Sequence, residues 1–218
     1  MSLRVAAGSA PADALVVTGL CFGWFILTSL QAVAAGFPAA PFSDSDFIGL
    51  IALEIAFGAA ALAYLRARGY CLWQLAPIPS AAGCLAGLLL YAATLAVAWL
   101  VAALIGAGHT ASEPIGEMVA GARISLAPLV AMSIVNGIYE EVFLLGYLQR
   151  ALEGFGAAFA VGVSLLVRLL YHLYQGPSGA LYVLGFGLVL SLYFLRTGKL
   201  WPVAFAHIFA DFAGFSTS

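Results

Sequence analysis

The sequence predicts an all-α, polytopic transmembrane helix bundle of about seven spans, within a range of six to eight, treated as one membrane domain over residues 1–218. Three observations predict it. Of the 218 residues, 64% are hydrophobic and 8% charged, with a mean hydropathy of +1.06. A soluble domain carries about 25% charged residues, so this chain lacks the polar surface to cover itself in water. Its apolar residues gather into runs near the length at which a helix crosses the hydrocarbon core. Its cations, finally, sort by loop in the way a membrane span count requires.

Residues 1–13 read as a short tail of polar and small residues with Arg4 and Asp13. Leu15 to Ala35 is the first span; its positive start and Ala32-Val33-Ala34 also resemble a secretory signal with a cleavage site. The apolar stretch is longer than the usual signal core of about 7–15 residues. Pro38, Pro41, Asp44 and Asp46 mark a loop, and Phe47 to Leu65 is the second span, closed by Arg66 and Arg68. A loop with Pro77 and Pro79 leads to the third span, Ala81 to Ala107. Gly108 to Ala122, with His109, Glu113 and Glu117, reads as polar and interfacial.

The fourth span, Ile124 to Leu148, holds Glu140 and Glu141 and is followed by Arg150 and Glu153. Gly154 and Gly156 turn the chain into the fifth span, Ala157 to Tyr174, which Gly176-Pro177 breaks. Ala180 to Leu195 is the sixth, ended by Arg196 and Lys199, and Leu200 to Phe215 a short seventh. Cationic residues favour cytoplasmic loops. With a cytoplasmic N-terminus, Arg4, Arg66, Arg68, Arg150, Arg196 and Lys199 fall inside and Arg123 outside, while Arg168 lies within a span. The short loops suit a bacterial plasma membrane.

Net charge −2 without a basic patch gives no reason to expect nucleic acid. Cys21, Cys71 and Cys84 form no C-x-x-C pair and read as small packing residues.

Charge in the apolar runs is the functional signal, because an ionisable group at membrane depth needs a partner, a proton or a wet cavity. Glu140 and Glu141 are about 100° apart around their helix, so one faces a given cavity and the other looks sideways at a neighbouring helix. Arg168 and His172 are four apart and share a face, as do His207 and Asp211. Glu54 stands apart in the second span, as a packing partner or a cavity wall. A carboxylate can take a proton from water, and imidazole N–H groups can stabilise an oxyanion. Glu140, His172 and His207 could equally hold a divalent metal such as zinc. Spacing alone leaves both open.

In order, the chain carries Glu140-Glu141-Val142-Phe143-Leu144-Leu145, then Arg168-Leu169-Leu170-Tyr171-His172, then His207-Ile208-Phe209-Ala210-Asp211. This series resembles the CPBP family, the CAAX-protease and bacteriocin-processing family of intramembrane proteases, which includes the type II CAAX prenyl endopeptidases. Its motifs are Glu-Glu-x-x-x-Arg, Phe-x-x-x-His and His-x-x-x-Asn/Asp on successive helices. The resemblance is confined to about residues 124–215. It implies an intramembrane endopeptidase in which Glu140 activates water. His172 and His207 then orient the water or polarise the scissile carbonyl, and Asp211 completes the oxyanion site or orients His207. The implied substrate is a membrane-associated peptide or protein, prenylated or a leader or signal peptide.

Two positions depart from the pattern. Leu145 stands where the family has Arg, and Arg168 where it has Phe. The expectation is that Arg168 pairs with Glu141 across the helix interface, holding it ionised and leaving Glu140 as the base. Two other classes fit the residues. One is a catalytically inactive member acting as a membrane scaffold or immunity protein. The other is a proton-coupled transporter relaying through Glu54, Glu140, Glu141 and Asp211, although no internal repeat supports it.

Overall fold

A ring of helices closes around a cavity. The computed structural model describes residues 10–105 and 114–216; Arg4, His109 and Glu113 lie outside the described residues. The long helices are α1 (Ala10–Ala34), α2 (Asp44–Ala67), α3 (Ala81–Ile105), α5 (Leu126–Glu141), α7 (Ala157–His172), α8 (Gly176–Thr197) and α9 (Leu200–Ser216). A short α4 (Pro114–Ala120) precedes α5, and a π-helical stretch, Val142–Gln149, continues α5 into the brief α6 (Arg150–Leu152). Packing runs α1, α2, α5, α9, α3, α8, α7 and back to α1. Five of those neighbourings, α2 with α5, α5 with α9, α9 with α3, α3 with α8 and α7 with α1, join helices far apart in sequence.

Five stretches are long and apolar enough to cross a membrane, one of them the joined α7–α8 run, while α9 is a shorter apolar helix. The protein is thus a multi-pass membrane protein. Its outer faces carry exposed Trp24, Ile55, Leu89 and Trp99, as lipid-facing helices should. The centre is the segment from Tyr139 to Gln149, buried at every residue.

Loop contacts fix the relative direction of the helices. Asp44, at the start of α2, accepts hydrogen bonds from the Ser125 backbone N–H and hydroxyl at the start of α5, both 2.7 Å. The Arg123 N–H donates to the Phe42 carbonyl beside them, at 3.1 Å. The two helices therefore start at one face of the bundle, the parity that the cation count needs. At the opposite face Asp13 accepts from Tyr64 at 2.7 Å and from Arg68 at 3.0 Å, tying α1 to the end of α2.

Several boundaries differ from those expected. Asp13 belongs to the first turn of α1, not to a tail, where a carboxylate suits the positive end of the helix. Residues Val17, Cys21 and Phe22 of α1 are buried in the bundle, and the Tyr139 hydroxyl donates to the Cys21 carbonyl at 2.6 Å, so the first span is part of the core. Gly176-Pro177 breaks the fifth span as expected and opens α8, four residues ahead of the expected Ala180, with proline in the first turn, where its missing N–H has no partner to lose.

Candidate active site

Five of the polar residues singled out in the late spans, Glu140, Arg168, His172, His207 and Asp211, line one cavity of about 780 Å³, walled by residues from all seven long helices. Glu140 lines it, whereas Glu141 does not and is 0% exposed. That division follows from the turn of about 100° between adjacent helical residues.

Arg168, 1% exposed, enters from α7 between them. Its Nη2 donates to Glu141 Oε1 at 2.7 Å and its Nη1 to Glu140 Oε2 at 3.2 Å. The expected pairing with Glu141 is present, but the guanidinium fork also holds Glu140. A single lysine ammonium could not reproduce that planar, two-pronged grip. Gly187 makes the space for it: a Cβ there would come within 2.8 Å of Arg168 Cδ. The Phe186 ring lies 5.7 Å from the guanidinium carbon.

His207 arrives from α9. Its Nδ1 lies 2.7 Å from Glu141 Oε1. A carboxylate oxygen hydrogen-bonded at an ionised centre only accepts, so Nδ1 carries a proton, and Nε2, turned to the other acids, is placed to carry a second. Nε2 is 3.9 Å from Glu140 Oε2 and 3.6 Å from Asp211 Oδ1. The hydrogen-bonded orienter of His207 is therefore Glu141, and Asp211 stands just beyond hydrogen-bond reach. Gly137 permits this approach of α5 and α9, because a Cβ there would fall 2.7 Å from the Ile208 backbone nitrogen.

His172 reaches the same cavity from the end of α7. Its Nδ1 lies 3.0 Å from the Arg168 carbonyl oxygen. A carbonyl cannot donate, so Nδ1–H is fixed there and the neutral ring offers Nε2 as an acceptor. The donor atoms that cluster within 4.8 Å of one another come from Glu140, Glu141 and His207. His172 is not in that cluster, so the set expected to hold a metal, Glu140, His172 and His207, is not brought together as such.

Two contributors were not anticipated. Tyr171 donates its hydroxyl to Glu140 Oε2 at 2.5 Å, and Asn136 Nδ2 donates to Asp211 Oδ2 at 2.8 Å. Asn136 is one turn before Glu140 on the same face, a signal available in the sequence. Tyr171 precedes His172 and looks like any aromatic core residue. Glu54 also lines the cavity.

A helical membrane bundle with a buried acid pair, a forked cation and two imidazoles around one cavity defines the class of protein. Residues 122–213 match the family model described as type II CAAX prenyl endopeptidase Rce1-like, so this stretch is similar to that family. No curated protein and no solved structure matches the chain.

Proposed function

We propose that the chain is an intramembrane endopeptidase, seated with its N-terminus in the cytoplasm of a bacterial cell, that cleaves membrane-associated peptides by a water attack assisted by Glu140. The observation that carries this reading is the asymmetric grip on Glu140. Its Oε2 accepts from both Arg168 and Tyr171, while Oε1 makes no hydrogen bond among the described residues, in a cavity large enough for a peptide segment.

In this reading a water in the cavity gives its proton to Glu140 Oε1 as its oxygen attacks the scissile carbonyl carbon. Nε2 of neutral His172 accepts the water's other hydrogen and aims it. His207, fixed through Nδ1 by Glu141, presents a protonated Nε2 to the developing oxyanion. Collapse breaks the C–N bond, and Glu140 returns its proton to the leaving amine. Arg168 balances the acid pair throughout, and Asn136 holds Asp211 beside His207. The family position lost at Leu145 is thus made good from α7.

In this reading no zinc takes part, although Glu140, Glu141 and His207 bring donor atoms within 4.8 Å of one another. Glu140 Oε2 and Glu141 Oε1 already accept from Arg168, and the nearest imidazole nitrogen is bonded to Glu141. A divalent ion there would displace these bonds and sit beside a guanidinium.

The test is a comparison of membrane peptides from cells making the wild-type chain or Glu140→Gln, with purified protein then assayed in proteoliposomes. A precursor should accumulate only in the variant, whose cleavage rate should fall by about 10²–10⁴-fold, the usual share of a general base. Wild-type cleavage should survive a strong chelator. Full activity in Glu140→Gln, or solute flux with no cleavage, would end the hydrolase reading.

A further inference from the structure

Glu54 lies on α2, outside the family match and outside the mechanism above. It is 2% exposed, lines the cavity, and its Oε2 has no hydrogen-bond partner among the described residues. Glu140 and Asp211 line the same cavity. A buried carboxylate left without a partner is costly, more so at membrane depth.

Among the described residues none of the cations donates to Glu54 Oε2. Arg168 spends its two terminal nitrogens on Glu140 and Glu141, and His207 Nδ1 is spent on Glu141. Among the described residues, Glu54, Glu140, Glu141 and Asp211 are thus opposed by the Arg168 guanidinium and the His207 ring alone. Phe47 and Leu50 join Glu54 on the cavity face of α2, with Phe22 and Phe25 from α1. Such walls suit an alkyl stem and, through the aromatic faces, a cationic head.

We propose that Glu54 is a binding-site carboxylate for a lysine or arginine side chain of the peptide segment that enters the cavity. The cation completes the hydrogen bonding of Glu54 and offsets the surplus of acids. The inference rests on the peptide-binding part of the proposed function, not on turnover.

The test uses the full chain in lipid nanodiscs on a Glu140→Gln background, which blocks turnover. The probes are fluorescent Leu/Ala peptides identical except for a central lysine, norleucine or glutamate. The lysine peptide should bind about 30-fold or more tighter than norleucine, as expected for a buried charge pair, and glutamate weakest. Adding Glu54→Gln should bring the lysine-to-norleucine ratio close to unity, and Glu54→Asp should keep most of it. Comparing ratios between proteins cancels the peptides' different partitioning into lipid.

Absence of a lysine preference in the parent, or an unchanged ratio in Glu54→Gln, overturns the proposal. If Glu54→Gln fails to insert, the parent and Glu54→Asp decide it. Cleavage assays on the wild-type background separate the two claims. Lysine-selective binding without cleavage supports the cation site and removes the hydrolase; cleavage with no such selectivity does the reverse.

Discussion

Replacing Arg168 by leucine would leave Glu140 and Glu141, 5% and 0% exposed, facing each other with His207 as the nearest possible cation. Removing one partner of a buried ion pair costs about 3–5 kcal/mol. For a chain of this size, 1 kcal/mol moves the melting temperature by roughly 2–4 °C, so Arg168→Leu should lower it by on the order of 6–20 °C. Intrinsic tryptophan fluorescence of the purified chain in nanodiscs reads that shift. Leu166→Ala, a change at a side chain 53% exposed on the same helix, should move it little.

Leu145 is buried four residues beyond Glu141, so its side chain starts on the same face as the acid. The double variant Arg168→Leu/Leu145→Arg should return a cation to Glu141 from its own helix and recover most of the lost stability. Arg168→Lys should fall between, because one ammonium cannot span both carboxylates. A melting temperature for Arg168→Leu within about 2 °C of wild type, well inside the smallest shift expected, would refute the role of the guanidinium as the counter-charge of the acid pair.

Gly137→Val would drive its side chain into the Ile208 backbone 2.7 Å away. It should separate α5 from α9, lower stability by about 1–3 kcal/mol as overpacking does, and remove peptide cleavage; a stable, active variant in melting and cleavage assays would contradict the close approach. Tyr171→Phe removes one charge-assisted hydrogen bond from Glu140, worth about 1.5–3 kcal/mol. Its cleavage rate should drop roughly 10–100-fold if that interaction is kept to the transition state, with peptide binding to a non-cleavable analogue unchanged. Equal rates for Tyr171→Phe and wild type would show that the hydroxyl does not serve the base.

The sequence by itself determined the solvent of this protein and most of the ionisable residues that gather at its centre. Apolar runs and sorted cations specify membrane helices because hydropathy and charge placement are local properties. Glu140, Glu141, Arg168, His172, His207 and Asp211 were legible because ionised groups stand out against hydrocarbon, and helical spacing told which pairs share a face. The pairing of Arg168 with Glu141 was legible for the same reason.

Only the tertiary structure decided the rest. It set the azimuth and depth of each helix, and so put Glu141 rather than Asp211 in hydrogen-bond contact with His207, kept His172 out of the tight cluster, and brought Glu54 to the cavity from a distant helix. Those choices depend on close approaches such as Gly137 on Ile208 and Gly187 on Arg168. An apolar surface that meets lipid has the same composition as one that meets another helix, so the chain's hydropathy carries no record of which faces would touch.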